Sequence, residues 1–332
     1  MKRILSIILM VMCCCYIKGQ QTPDTTTVIG RLQYVYVLKN VINDRVWQGF
    51  ADKENDVPLI CYDDTCCYVV NPSDKILAQC KAKLVYQDDD VNIFQMQRID
   101  NIPFHMHMTI TDDEDKIDYR TPTMRCSSLE QTSKTIPDVT TVKEWVTMVM
   151  HEYFHGFQFK QDGFFDAYER IFEVCPQDTL SALQTQHKWF KESILQENGL
   201  LMKAINAPDL DATKAYIRAF LEMRDIRRLR IKEEQNIDIT SAEQYMEIME
   251  GSARYIEYQL YEYFGNFNLD DAKWLYTVGW NYYYATGFNL LRLLDKLGIE
   301  YHSRIFADVR VLEETLSVPA VPLSTTSTWL GP

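Results

Sequence analysis

The order of patterns along the chain predicts an α+β fold, with a β-rich N-terminal part over residues 31–136 and a mostly helical part over 137–332. Three observations carry that reading. β-branched and aromatic runs broken by acidic turn residues crowd the first part, as in "VPLICYDDTCCYVV". From Pro137 onward apolar residues recur at helical spacing and continue to do so. Strands come first and helices second, the arrangement of an α+β protein.

The first residues, "MKRILSIILMVMCCCYIKGQQ", set Lys2 and Arg3 ahead of an apolar run from Ile4 to Ile17, with Gly19 as the cleavage point. This predicts a secretory signal over residues 1–19 and an exported chain, periplasmic or extracellular. No stretch reaches the roughly 20 apolar residues that a membrane span needs. A second reading is a lipid anchor on Cys13, Cys14 or Cys15. The Met, Val and Met before Cys13 lack the small residue that such processing favours.

Residues 20–30 are polar and Thr-rich, a flexible lead-in. Residues 31–50 carry apolar positions at helical spacing and end near Gly49. A hairpin follows, turning at Asp63, Asp64 and Thr65, with further strands expected at 76–86, 91–98 and 102–110 between the acidic turns "DDD" and "DDED". Helices are expected at 138–160, 178–204, 209–235, 240–264 and 282–297, punctuated by Pro176, Pro208 and Gly265.

The formal charge is −13. Loss of residues 1–19 removes Lys2, Arg3 and Lys18 and no acid, giving −13 − 3 = −16. So acidic a surface repels phosphate backbones, and no basic stripe offsets it, so nucleic acid is excluded as a partner. Six cysteines lie beyond the leader: Cys61, Cys66, Cys67, Cys80, Cys126 and Cys175. An even number in an exported chain predicts disulfides, and the hairpin would bring Cys61 opposite Cys66 or Cys67. A thiolate metal site lacks paired CxxC spacing.

The chemistry concentrates in "VMHEYFHGFQF", residues 149 to 159. On a helix, His151 and His155 lie one turn apart on one face, where two ring nitrogens can reach one zinc ion, with Glu152 beside them as general base. Met148, Thr147, Glu144 and Gln158 share that face, while Val142, Val146, Val149, Tyr153 and Gly156 form the apolar back. A third ligand must come from elsewhere. The best donor is "YMEIMEGSARYIEY", residues 245 to 258, on a helix where Glu243, Glu247, Glu250, Arg254 and Glu257 line one face. Spacing alone leaves Glu247 and Glu250 open, and leaves an ordinary solvated charged face with a Glu250–Arg254 ion pair as a competing reading.

"HEYFH" followed by "EGSARYIE" resembles the gluzincin metallopeptidases, in which the zinc-binding glutamate opens an E-G-x-A-x-Y segment on a later helix. The resemblance implies a zincin-like helical part, one Zn2+ ion and Glu250 as third ligand. "YYYATGFNLLRLLDKLG" resembles the Y-x-x-G helix of the aminopeptidase-N-like gluzincins, whose tyrosine hydrogen-bonds the tetrahedral oxyanion; this implies that role for Tyr284, with Gly287 as the glycine. The motifs cover residues 140–160 and 245–298. The spacer from His155 to Glu250 is 250 − 155 = 95 residues, longer than in aminopeptidase N, and no G-x-M-E-N segment supplies that family's amine recognition. The early "WQGF…PLICYDD…NP" is also similar to exported bacterial proteins of unassigned function that carry H-E-x-F-H-x-F-Q.

The implied activity is zinc-dependent hydrolysis of a peptide or protein, with the metal lowering a water's pKa and Glu152 taking its proton. Two rivals stay open: a catalytically silent zincin-like protein that binds zinc or a protein partner, and a metal-free helical interaction protein. Arg254 is placed to orient Glu250, and Gln158 to support the zinc face. His105 and His107 share a strand face, with a second metal pair or a substrate-binding strand as alternatives. "RDIRRLRIKEE" reads as the polar side of a long helix, and Cys175 as buried or bridged.

Overall fold

A computed structural model of the chain describes residues 23–79, 81–109, 122–265, 269, 272–275 and 282–317. The leader, Cys13–Cys15 and Cys80 lie outside them. No helix among the described residues is long and apolar enough to cross a membrane. The fold is mixed, consistent with α+β: helix α1 (Val28–Arg45), a six-stranded sheet, then a succession of helices. The strands are β1 (Leu59–Tyr62), β2 (Cys66–Val70), β3 (Lys83–Gln87), β4 (Asn92–Gln97), β5 (Met106–Thr109) and β6 (Thr123–Ser127), ordered β3-β4-β2-β1-β6-β5. β1 and β6 are parallel and the other pairs antiparallel.

The hairpin turns where expected, but residues 76–86 are not one strand. Helix α2 (Asp74–Gln79) precedes the shorter β3. Ile76 packs under the sheet against Ile60, Tyr62, Cys67, Val69 and Met96, which a helical turn achieves as well as a strand. The expected strand 102–110 is confined to β5 in the described residues, and β6 was not anticipated.

The other sheet face presents Leu59, Cys61, Val70, Ile93, Met108, Met124 and Cys126 to α4 (Val142–Phe159), which carries the HExxH segment. Thr141 and Glu144 close a capping box at its start, so Glu144 serves the helix end. Val146, Val149, Tyr153 and Gly156 face the core as the apolar back requires. Tyr153 also reaches the polar anchor of the packing: its hydroxyl donates to Asp56 Oδ1 at 2.6 Å, and the same carboxylate pairs with buried Lys39 of α1. The Trp145 indole donates to the Ser127 carbonyl, fixing α4 to β6.

Helices α3 (Leu129–Thr135), α5 (Phe164–Val174), α6 (Gln177–Gln186), α7 (Lys188–Asn206), α8 (Leu210–Gln235), α9 (Thr240–Phe264), α10 (Ala272–Leu275), α11 (Tyr282–Lys296) and α12 (Val311–Ser317) complete the described elements. The helix expected at 178–204 is two, α6 and α7, divided at His187 in extended backbone. One hydrophobic cluster runs from Leu32 to Leu316, so the strand-rich and helical parts share a core.

α9 and α11 meet at two glycines. A Cβ on Gly251 would lie 2.5 Å from Gly287 Cα, and one on Gly287 would overlap the Glu247 carbonyl oxygen. These are backbone contacts, which no side-chain rotation relieves. On the far side of α9, three of the four arginines of "RDIRRLRIKEE" are not solvated: Arg224, Arg227 and Arg228 of α8 are buried, while Arg230 is exposed. Arg227 bonds Glu197 and Glu243 at 2.6 Å each, Arg228 bonds Glu243 and Glu313 at 2.8 Å each, and Arg224 bonds Glu247. Buried guanidinium groups persist only with such partners.

Two predictions follow from this packing. Gly287→Ala should lower unfolding free energy by about 3 kcal/mol or more through overpacking. By contrast Gly199→Ala, in open space on α7, should raise it by about 0.5–1 kcal/mol through helix propensity; urea denaturation separates the two, and equal effects would remove the crossing constraint. Burial alone would raise the carboxyls of Glu243 and Glu313, but the arginines hold Glu243 well below its usual range and Glu313 down at about 2. A depressed folded pKa stabilises above the unfolded value of about 4.3 and that stability disappears as pH falls. Glu243→Gln should therefore cost about 3–5 kcal/mol at pH 7 and show a shallower loss of stability from pH 5 to 2 than the parent; parallel curves would contradict it.

Candidate metal centre

The histidine face of α4 packs against α9, so the imidazoles meet a second helix. His151, His155 and Glu250 are each only 7 % exposed. Glu250 Oε2 lies 3.3 Å from His151 Nε2 and 3.5 Å from His155 Nε2. The three ligand-capable atoms fall within 4.8 Å of one another and could hold a metal ion.

Neighbours fix which ring nitrogen faces inward. His151 Nδ1 is 2.6 Å from Glu257 Oε1, and His155 Nδ1 is 2.8 Å from Gln158 Oε1. Gln158 in turn donates through Nε2 to the Met249 carbonyl and Ser252 Oγ at 2.8 Å each. An amide oxygen only accepts, so His155 carries its proton on Nδ1 and offers a lone pair at Nε2. A carboxylate on Nδ1 orients His151 in the same way.

The inward atoms fit a cation and little else. Glu250 Oε2 is buried and, among the described residues, accepts no well-formed hydrogen bond. Burial alone would push the His151 pKa down, yet Glu250 and Glu257 hold it up at about 10. Burial would raise Glu250, but His155 and His151 pull it well below its usual range. The carboxylates thus draw positive charge to the point where the two Nε2 atoms converge, as protons on the rings or as a cation in their place. With both rings neutral, as ligation requires, Glu152, Glu250 and Glu257 against Arg254 leave two negative charges, the complement of one divalent ion.

Glu152 sits beside this point near the Met108 backbone of β5, and burial, only partly offset by the two histidines, raises its pKa. Tyr284 lies with its ring parallel to His151 at 5.9 Å between centroids, and burial together with the neighbouring Glu250 carboxylate pushes its hydroxyl far above its ordinary pKa. Arg254 pairs at 3.7 Å with Glu257 and stacks 4.0 Å over Trp274, so it braces the partner of His151 where bracing of Glu250 was expected. Glu247 is one turn away and committed to Arg224.

His105 and His107 are not brought to this site. Successive strand residues alternate in direction, and Met106 and Met108 take the α4 side. His105 stacks on Tyr62 at 3.9 Å and bonds Asp100 at 3.1 Å on the opposite sheet face. Glu257 was not singled out from sequence, although its position seven residues after Glu250 on the same acidic stripe was the available signal. The Met108 backbone had none, because a backbone group leaves no mark on residue identity.

Glu257→Gln should weaken metal binding about 10–100-fold while leaving the far-UV circular dichroism unchanged, measured by chelator competition. Unaltered affinity would show that Glu257 does not orient His151.

No protein-family model, curated protein or solved structure matches the chain.

Proposed function

We propose that the chain is an exported zinc-dependent peptidase of the gluzincin type, acting on a peptide or protein substrate. The observation that supports it most is the convergence of three buried lone-pair atoms on one point, with Glu152 alongside and Tyr284 opposite. Two histidines and a carboxylate suit zinc, and a catalytic site keeps its fourth position open. When bound there, zinc would act as a Lewis acid on water and on the scissile carbonyl.

The remaining work falls to the chain's own groups. Glu152 removes the proton from the attacking water and passes it to the leaving amine. Its burial keeps the carboxyl pKa raised, which suits both halves of that transfer. The Tyr284 hydroxyl donates to the oxygen that gains charge as the carbonyl becomes tetrahedral. Glu257 and Gln158 prevent His151 and His155 from rotating away. Among the described residues β5 is the last strand of the sheet, and its outer edge beside Glu152 offers backbone groups to an extended peptide. His107 contributes backbone to that strand and His105 directly precedes it, with their rings turned to the other face.

Glu152→Gln should lower turnover of a peptide library by about 10²–10⁴-fold with zinc retained at one ion per chain by elemental analysis; loss of zinc would mean the roles are misassigned. Glu250→Ala should lose the zinc, whereas Glu247→Ala should keep it and lose stability through Arg224. Tyr284→Phe should lower kcat by about 10²–10³-fold with little change in KM. Stoichiometric zinc without turnover in the parent would replace this reading with a silent zinc-binding protein.

A further inference from the structure

The expected bridge from Cys61 to Cys66 or Cys67 is not formed: Cys61, Cys66, Cys67, Cys126 and Cys175 are free thiols. The strand register explains why. Cys61 faces Tyr68, and Cys67 faces Tyr62, so Cys67 belongs to the opposite side of the sheet from Cys61. Cys66 points to the same side as Cys61 but lies beyond Tyr68, toward the turn, where it accepts from Gln95 Nε2. Closing either bridge would slip the hairpin.

Cys61 has a different neighbour. In the parallel β1–β6 pair it is in register with Cys126, and both are 0 % exposed. Both belong to the cluster under α4, and the Cys126 thiol is near enough to push the Cys61 thiol well above its ordinary pKa. Adjacent strands run about 4.8 Å apart, inside the roughly 4.4–6.8 Å of Cα separation that a disulfide spans. We propose that Cys61 and Cys126 form the chain's disulfide when it folds in an oxidising compartment. The inference does not depend on the metal centre or on peptidase activity.

The chemistry balances as thiol–disulfide exchange. One thiolate attacks a small-molecule or protein disulfide, expelling a thiol and forming a mixed disulfide; the second thiolate displaces the other half. Two protons and two electrons leave the cysteines, and the donor is reduced to two thiols. With both sulfurs buried beneath α4, the exchange takes place while β6 docks on β1, before the helix closes over them. The closed loop spans 126 − 61 = 65 residues and includes β2 to β5. It locks β1 to β6, one of the two strands on which α4 rests.

The test refolds the full chain from reductant in glutathione buffer and maps it without reduction. An Asp-specific protease cuts before Asp63 and so separates Cys61 from Cys66 and Cys67. The expected product is one linked peptide pair joining Cys61 to Cys126, two hydrogens lighter than its reduced halves. The parent's Tm should fall by about 5–10 °C on reduction, a shift absent in Cys61→Ser and Cys126→Ser and kept in Cys67→Ser. Mapping uses the parent and stands even if a serine variant fails to fold. Five unbridged thiols at these positions, or a bridge from Cys61 to any cysteine other than Cys126, would overturn the proposal.

Discussion

The architecture around the candidate centre depends on how closely α9 can approach α11. At Gly251 and Gly287 the two backbones touch, and a single methyl group at either position would push them apart. Glu250 immediately precedes one glycine, and Tyr284 lies three residues before the other. The contact therefore sets the distance between a ligand-capable carboxylate and the hydroxyl beside it. It also sets the depth of α9 against α4, because α9 is clamped between them. Polar groups can converge to hydrogen-bond distance here only because the residues next to them have no side chains.

α9 carries its acids along one stripe, yet the stripe serves two unlike environments. Glu243 and Glu247 turn to the arginines of α8, where each charge is matched by a rigid planar cation. Glu250 and Glu257 turn to the histidines of α4, where the protein supplies lone pairs and half-positive rings. The first group is neutralised within the chain. The second is met by titratable rings, whose protons a metal ion could replace, and that distinguishes it from the arginine network although both are equally buried.

Local pattern made some of this legible in the sequence and left the rest hidden. The HExxH helix, its apolar back and the extents of α8, α9 and α11 follow from spacing that the chain encodes within one or two turns. Glu250 could be separated from Glu247 only by a motif, because the deciding fact, Arg224 beside Glu247, lies 23 residues away. The same non-locality hid the burial of Arg227 and Arg228, whose partners come from three different helices. Ile76 and Leu77 fit a strand or a helical turn equally well, so α2 was not distinguishable from an extension of β3. β6 offers only Met124 and Cys126 as apolar residues, and its partner β1 lies far upstream.

That separation between β1 and β6 also bears on the order of folding. Parallel pairing across such a distance must overcome loop-closure entropy before it gains any contact, and chains dominated by long-range pairing fold in milliseconds to seconds where local helix bundles take far less. α4 cannot seat until β1 and β6 have met, and the ligand-capable atoms of α4 and α9, 95 residues apart in sequence, cannot converge until α4 has seated. A half-folded chain therefore lacks the convergence of His151, His155 and Glu250, and the candidate site comes into being only with the completed topology.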